Sequence, residues 1–232
     1  MPDAAADQIE HWADAIEAAI AGSRWFDRVR VLRETGSTQD AARAAGGGRP
    51  GVIVVAGRQT TGRGRQGRAW LQRGDLGVAA TFVVGLEADA GASRRMSMVA
   101  GLAALDACRA CGATGAGIKA PNDVVVLDAG VASGHRKLAG VLVEQRDGLA
   151  CVGIGINVLQ GSGDFDEPIR ETATSLAMLG AEAARIDVLC ALVRSMDEWM
   201  SADTGDMERA WSGGVVGGGA SSSASSVRPG SA

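Results

Sequence analysis

Short apolar runs bounded by turn residues are the feature that most restricts how this chain can fold. They extend over 52–56, 76–86, 123–127, 138–145 and 149–158, and 28–33 alternates between charged and apolar residues. Both patterns are typical of β-strands. After 28–33, Ser37 or Thr38 is a possible N-cap for a short alanine-rich helix that runs to Ala45, and 93–111 has the length, the serine N-cap and the alanine, leucine and methionine content of a buried helix. The pattern predicts an α+β fold, in which a mixed β-sheet is flanked by helices.

Helices are also predicted at both ends of this sheet. Residues 5–21 and 188–200 carry apolar side chains at three- and four-residue spacings, which is the pattern of an amphipathic helix. After Trp211 the sequence becomes rich in glycine and serine, which cannot bury enough apolar surface to offset the entropy of ordering. We therefore expect an N-terminal helix and lead-in over 1–27, a main domain over 28–211 and a disordered tail over 212–232.

Composition excludes several classes of protein. With 232 residues, 46% hydrophobic and 22% charged, the chain is large enough for one main core. The net charge of −4 gives no overall basic field for nucleic acid, and no apolar stretch approaches the ~20 residues of a membrane span. The N-terminus lacks the pattern of a secretory signal, so we expect a cytoplasmic location. Four cysteines in a chain this long predict free thiols rather than a disulfide framework.

The most informative polar segment is TGRGRQGRAW at 61–70, in which Arg63, Arg65 and Arg68 are separated by glycines and a glutamine. We call 62–70 the arginine loop. Glycine lets backbone N–H groups approach an anion closely, and arginine offers a rigid fork of donors. Because the clustering is local, it suits a small anionic ligand such as a nucleotide better than a long phosphate backbone.

The segment KAPND at 119–123 is a second candidate for chemistry. Pro121 stiffens the backbone and keeps Ala120 out of helix, so Lys119 is presented from the end of an extended strand. Asn122 and Asp123 either cap the turn or hold a nucleotide and its magnesium. The residues alone leave both interpretations open.

Other polar features are weaker. Lys137 starts an apolar strand, and Asn157 follows two glycines that either admit a ligand or mark a bulge. The pair Cys108 and Cys111 has metal-like spacing but no second pair, so we expect ordinary thiols. The two histidines lie in a helix and in the polar hairpin 128–136, which makes a histidine-based catalytic triad improbable.

Five motifs together resemble those of biotin protein ligases, the biotin–[acetyl-CoA carboxylase] ligases. In chain order they are GSTQD at 36–40, QTTGRGRQGRAW at 59–70, KAPNDV at 119–124, RKLAGVLVE at 136–144 and GIGINV at 153–158. The resemblance covers 28–200 and implies the class II synthetase-like catalytic fold of biotin and lipoate ligases. Members of that family activate biotin with ATP to give biotinyl-5′-adenylate, and then transfer biotin to a lysine of a biotin carboxyl carrier protein.

The resemblance also implies a role for each motif. The residues expected to bind biotin are Ser37, Thr38, Gln39, Gln59, Arg63, Gly64, Arg65 and Lys119, of which Lys119 and Arg65 are the catalytic candidates. Those expected to bind ATP are Arg68, Trp70, Asn122, Lys137 and Asn157. Mg²⁺ is expected to arrive with ATP, and Asp123 is its candidate ligand.

Three departures from the family pattern stand out. Gln39 replaces the usual asparagine, and Ala120 replaces a tryptophan, whose loss is expected to loosen packing behind Lys119. The usual small C-terminal β domain is expected to be absent, and without an N-terminal DNA-binding module no DNA partner is expected. A homodimer is compatible with the family. Two alternatives stay open: a lipoate–protein ligase, and an impaired protein that binds biotin or nucleotide without transferring biotin.

Overall fold

The computed structural model describes residues 8–70, 74–86 and 91–216. Within these ranges the chain forms seven β-strands and six α-helices. In chain order they are α1 (Trp12–Ala19), β1 (Arg28–Thr35), α2 (Thr38–Gly46), β2 (Val52–Gln59), β3 (Gly77–Gly85), α3 (Ala92–Ala110), β4 (Ala116–Lys119), β5 (Asp123–Leu127), β6 (His135–Arg146), β7 (Leu149–Asn157), α4 (Glu167–Arg170), α5 (Arg185–Ser201) and α6 (Thr204–Gly214).

The strands form one mixed sheet in the order β1-β2-β3-β7-β6-β5-β4, which confirms the predicted fold class. Strands β1 and β2 are parallel because α2 carries the chain back between them, and the other neighbours are antiparallel. Parallel strands end at the same edge of a sheet. The start of α2 therefore lies beside the start of the arginine loop, where Thr61 N donates to Gly36 O at 2.8 Å.

Successive side chains of β2 point to opposite faces of the sheet and belong to two different apolar clusters. Ile53 and Val55 join the main core with α1, α3 and α5, whereas Val52 and Val54 pack with Ala42 of α2 on the opposite face. The main core therefore fills one side of the sheet completely. The α2 side is only partly covered, and the polar motifs gather there.

The N-terminal segment is part of the same core as the main domain. Residues 1–7 lie outside the described residues, and the predicted helix begins with a 3₁₀ turn at Ile9–His11 followed by α1. Trp12 and Ile16 of α1 are fully buried in the main core. The helix predicted over 93–111 is α3, but its N-cap is Gly91, which makes no side-chain cap, and not Ser93. None of the described helices is long and apolar enough to cross a bilayer.

The sequence prediction missed three elements, β4, α4 and α6. Strand β4 has only four residues and no clear pattern of its own, and it forms through pairing with β5. Helix α6 runs to Gly214, so the boundary predicted for the tail at 212 is wrong by several residues. Val215 then pairs in parallel with Ile118 of β4, and Val216 N donates to Ile118 O at 2.8 Å. The remainder of the predicted tail, 217–232, lies outside the described residues.

The glycines near the end of α6 explain why composition was misleading. A Cβ on Gly214 would lie 3.2 Å from Leu105 of α3 and 3.3 Å from Ile118. On α3, a Cβ at Gly101 would lie 2.7 Å from the ring of Trp211. Small residues there let a helix approach its neighbours closely, instead of marking a chain that cannot fold.

Candidate active site

Two adjoining concavities lie on the α2 side of the sheet. The small cavity lies between the start of α2, the arginine loop and strands β6 and β7. The large groove extends from the arginine loop over the β4–β5 turn to the segment that follows β7. Both are lined by Gly64, Arg65, Trp70, Asn122 and Lys137, which we call the shared wall.

Buried polar side chains at the start of α2 line the small cavity. Ser37 caps the helix, and its Oγ accepts from the Gln39 backbone N–H at 3.3 Å. Gln59 Oε1 accepts from both the backbone N–H of Thr38, at 2.7 Å, and its Oγ1, at 3.0 Å. Thr81 Oγ1 donates to Thr38 Oγ1 at 2.9 Å. The structure thus brings together the four buried residues that the sequence places at the biotin ring.

Gln39 links α2 to the two central strands of the cavity. Its Nε2 donates to Leu142 O at 3.0 Å, and a Cβ on Gly153 would lie 2.7 Å from that same nitrogen. Its Oε1 is buried and has no hydrogen-bond partner within the described ranges. Because buried polar atoms in native proteins are nearly always paired, this oxygen is an acceptor suited to a bound molecule.

The arginine loop folds back on itself as a short hairpin. Gly64 N donates to Arg68 O at 2.7 Å, and Trp70 N donates to Gly62 O at 2.8 Å. At the tip, Gln66 and Gly67 have φ of 57° and 73°, in the left-handed region that glycine favours. The two limbs of the loop therefore stay together and place their arginines in different directions.

Arg63 differs most from its predicted role. Its guanidinium contacts the carboxylates of Asp40 on α2 and Glu144 on β6, although the residue lines the small cavity. The hydrogen bond from Arg63 lowers the pKa of the Asp40 carboxyl below its usual value of 3.8. The same pairing raises the pKa of Arg63. Its charge is matched within the protein, so a direct contact with biotin stays a prediction.

Arg65 and Arg68 line the large groove. Arg65 Nη1 donates to Asn122 Oδ1 at 2.7 Å, which joins the arginine loop to the β4–β5 turn. Arg68 lies beyond the tip of the loop and is exposed. Of the three arginines, these two lie where an anionic ligand in the groove would reach them.

Trp70 separates the small cavity from the large groove. Its indole lies against the backbone of β7 and β6, where a Cβ would be 2.4 Å from the ring at Gly155 and 3.0 Å at Gly140. Lys137 Nζ is 5.4 Å from the ring centroid and 2.8 Å from Asp123 Oδ1. Of the two glycines noted before Asn157, Gly155 therefore makes room for the ring of Trp70, whereas Gly153 makes room for the side chain of Gln39.

Lys119, the predicted catalytic lysine, ends β4 and lines the large groove rather than the small cavity. Its Nζ lies 2.9 Å from Nε2 of His135. Ala120, which replaces the family's tryptophan, is exposed, so the substitution falls on the surface and not in the core. Lys119 thus lies at the end of an extended strand, as was predicted from Pro121.

The remaining predicted ATP residues are held by structural hydrogen bonds. Asn157 Nδ2 donates to Thr174 O at 2.9 Å and so anchors the segment after β7. Asn122 Nδ2 donates to Asp123 Oδ1 at 3.2 Å, and Lys137 occupies the same oxygen. One oxygen of the Asp123 carboxylate is thus engaged within the protein, and its role as a magnesium ligand stays a prediction. The described residues contain no group of three or more side chains that could hold a metal ion.

Several residues of the groove were missed by sequence reasoning. His135 begins β6, and the segment after β7 contributes Phe165, Ile169, Thr172 and Ala173. Backbone hydrogen bonds between residues far apart in the sequence hold that segment in place. Lys137 N donates to Thr172 O at 2.7 Å, and Thr174 N donates to Lys137 O at 2.9 Å. No local pattern in 162–174 could have predicted this pairing.

The cysteines lie away from this site and are free thiols, as predicted. Cys108 is fully buried in α3, and burial raises the pKa of its thiol. Burial also raises the pKa of Cys111 to about 11. Both are poor nucleophiles and poor metal ligands in this state.

Comparison with known proteins agrees with this geometry. The model of the biotin/lipoate A/B protein ligase family matches residues 35–159, which is more than half of the chain. The chain belongs to the biotin/lipoate A/B protein ligase family. The matched range contains the start of α2, the arginine loop, the β4–β5 turn and the central strands β6 and β7.

Individual relatives within the ligase family give the same result. A biotin–[acetyl-CoA-carboxylase] ligase of Mycobacterium tuberculosis is 34% identical over 195 residues, covering 79% of this chain and 69% of that protein. A bifunctional ligase/repressor BirA of Bacillus spizizenii is 30% identical over 57% of this chain, which spans 40% of the relative's length. The structure of a biotin protein ligase from Aquifex aeolicus in complex with biotin and ATP is similar with a TM-score of 0.62 and 29% identity, covering 75% of this chain and 71% of that one. The chain is thus a ligase enzyme with the catalytic fold of biotin protein ligases.

Proposed function

We propose that this chain activates biotin with ATP as biotinyl-5′-adenylate and transfers biotin to a lysine of a biotin carboxyl carrier protein. The proposal is supported chiefly by one observation: a cavity with buried, uncharged polar side chains at its α2 end adjoins a groove that carries Arg65, Arg68 and Lys119, and the two meet at a shared wall. Joining a neutral ring system to a nucleotide requires two such compartments side by side. The names of the relatives point to the same pair of substrates.

The small cavity suits the ureido ring of biotin. That ring has two N–H donors and a carbonyl acceptor, so it needs hydrogen-bonding partners without net charge. Gln39 Oε1 is the buried acceptor that still lacks a partner within the described residues, and we assign it to a ureido N–H. The dithiolane ring of lipoate has no N–H group and would leave this oxygen unpaired, which favours biotin over lipoate.

The large groove suits ATP. Arg65, Arg68 and Lys119 are cationic groups along it, and the carboxylate of Asp123 is already matched by Lys137. Fixed cations of this kind attract and orient a triphosphate. Aromatic surface from Trp70 and apolar surface from the segment after β7 would pack against the purine.

The chemistry joins the two compartments in two steps. A carboxylate oxygen of biotin attacks the α-phosphorus of ATP, the bond to the β-phosphate oxygen breaks, and pyrophosphate leaves. The amine of the carrier lysine then attacks the carbonyl carbon of the anhydride, an amide bond forms, and AMP leaves while the amine proton passes to solvent. Lys119 and Arg65 lower the repulsion between carboxylate and phosphate and stabilise the charge that develops at phosphorus.

One experiment tests the proposal against its alternatives. The protein is incubated with α-labelled ATP and Mg²⁺, with either biotin or lipoate, and a purified biotin carrier domain is then added. Biotin-dependent pyrophosphate release followed by biotinylation of the carrier lysine supports the proposal. Pyrophosphate release with lipoate alone would overturn it in favour of a lipoate ligase, and biotin binding without pyrophosphate release would overturn it in favour of an impaired binding protein.

A further inference from the structure

His135 is a groove residue to which the family resemblance assigns no role. It is the first residue of β6, half-buried, and its backbone oxygen accepts from Ser133 Oγ at 2.7 Å. Its Nε2 lies 2.9 Å from Nζ of Lys119, across the intervening strand β5. The two side chains therefore meet from separate strands at the rim of the large groove.

The contact with Lys119 determines which ring nitrogen of His135 carries the proton. A lysine ammonium has three N–H donors and no acceptor, so the ring nitrogen facing it must accept. The contact with an ammonium therefore requires a neutral imidazole with its proton on Nδ1. An imidazolium, or the tautomer with a proton on Nε2, would place a donor against a donor.

The two neighbouring carboxylates, Asp123 and Asp128, are paired with other cations and not with Lys119. The Asp123 carboxylate is engaged by Lys137 at 2.8 Å, and the Asp128 carboxylate is engaged by Arg136 at 2.6 Å. Within the described residues, the hydrogen bond to His135 is the one that the Lys119 ammonium makes. A lysine head group on a flexible four-carbon stem needs such a partner to keep one position.

We propose that His135 is a positioning residue, which holds the Lys119 ammonium on the groove side of the shared wall, at the ATP phosphates. One N–H of the ammonium is used by His135, and two remain for phosphate oxygens. The role in turnover rests on the biotin ligase function proposed above. Loss of His135 is therefore expected to affect ATP and the rate of adenylation, but not the affinity for biotin, which binds in the small cavity.

A first test does not depend on any activity. Nitrogen-15 NMR of the histidine ring in the full chain reports which nitrogen carries the proton. We expect the Nδ1–H tautomer at His135, and a change toward the Nε2–H form in Lys119→Ala. An Nε2–H tautomer in the unaltered protein, or no change in Lys119→Ala, would overturn the contact even if the ligase reaction is confirmed.

A second test uses biotin-dependent ATP–pyrophosphate exchange. His135→Phe is expected to lower kcat/KM for ATP about tenfold, with the Kd for biotin unchanged, whereas His135→Gln, which keeps an acceptor, retains most of the rate. His11→Phe, at the exposed second histidine, is the matched control.

The double variant tests whether His135 acts through Lys119. In a Lys119→Ala background, His135→Phe should have no further effect on the exchange rate. An additional loss in that background, or equal losses for His135→Gln and His135→Phe, would contradict a role exerted through Lys119. Absence of exchange in the unaltered protein would instead count against the ligase function and leave the NMR test to decide the contact.

Discussion

The Arg63 guanidinium and the Asp40 carboxylate form a two-point ion pair, with 2.5 Å between Nη1 and Oδ2 and 2.9 Å between Nη2 and Oδ1. Arg63 Nη2 also lies 3.3 Å from Glu144 Oε2, and that carboxylate contacts Arg43 of α2 at 3.0 Å. The first arginine of the loop thus ties it to α2 and to β6. Arg65 and Arg68, further along the loop, are the two that line the large groove.

Asp40→Ala is expected to open the arginine loop more often. Partly exposed ion pairs contribute about 0.2–1 kcal/mol, so trypsin should cleave after Arg65 and Arg68 about 1.4 to 5 times faster. Mass spectrometry of the first fragments measures this rate. Asp27→Ala, which removes another exposed carboxylate paired with an arginine, is the control. An Asp40→Arg, Arg63→Asp double variant should regain part of the protection, and unchanged cleavage in Asp40→Ala would refute the role of the pair.

The same pair gives a pH dependence with a definite sign. The folded-state pKa of Asp40 is lowered below its usual value of 3.8, so its contribution to stability is present above that value and is lost as pH falls through the folded pKa. Above about pH 5 the unaltered protein should be more stable than Asp40→Asn, by no more than ~1 kcal/mol because the carboxylate is largely exposed. Urea titrations from pH 7 to pH 3 should show that difference shrinking. A difference that grows on acidification would contradict it.

Lys119→Ala should lose adenylate formation while folding normally. The side chain is exposed, so its removal is expected to change the free energy of unfolding by no more than about 0.5 kcal/mol. Loss of a fixed positive charge at phosphorus is expected to lower biotin-dependent pyrophosphate release by a factor of about 10² or more. Arg49→Ala, an exposed change away from both concavities, serves as the control. Unchanged turnover in Lys119→Ala would remove this lysine from the mechanism.

Gly155→Ala is expected to displace Trp70, because the new Cβ would lie 2.4 Å from an indole carbon. The shared wall would shift, so the KM for ATP should rise several-fold and the tryptophan fluorescence of the free protein should change. Gly115→Ala is the matched control, since nothing lies within 4 Å of a Cβ there. Equal effects of the two substitutions would mean that the contact between Trp70 and β7 is unimportant.

The buried thiols should react slowly with alkylating agents. Burial raises the pKa of Cys111 to about 11, from an ordinary 9.0, so its thiolate fraction at pH 8 is about a hundredfold lower than that of a free cysteine. Cys108 is fully buried and should be slower still. Iodoacetamide labelling followed by mass spectrometry, with the unfolded protein as control, measures both rates. Rapid native labelling of either residue, or stoichiometric zinc, would contradict the assignment as inert thiols.

Patterns that need only local information predicted much of the fold. All six predicted strands and helix α3 were found from local patterns of apolar residues, and Ser37, the N-cap of α2, was one of two candidates found from residue type. Strand β4 was missed because its four residues are stabilised by β5. The end of helix α6 was assigned to the tail because glycine and serine were taken as signs of disorder, whereas Gly214 serves close packing against α3.

The sequence predicted that the start of α2, the arginine loop and the β4–β5 turn lie together, as they do around the two concavities, but not the contacts among their side chains. It could not show that Arg63 is neutralised by Asp40, since that pair joins residues 23 positions apart across two elements. Nor could it show His135 beside Lys119, because the contact depends on the register of three neighbouring strands.

A wall shared by two compartments makes the site intrinsically bivalent. A single unreactive molecule with a ureido ring at one end and a nucleoside at the other could occupy both at once. Once either end is bound, the other end is presented at a high effective concentration, and only one loss of translational freedom opposes binding. Such a compound should bind far more tightly than biotin or ATP alone, and Trp70, as the partition between the compartments, would determine the length of linker that fits.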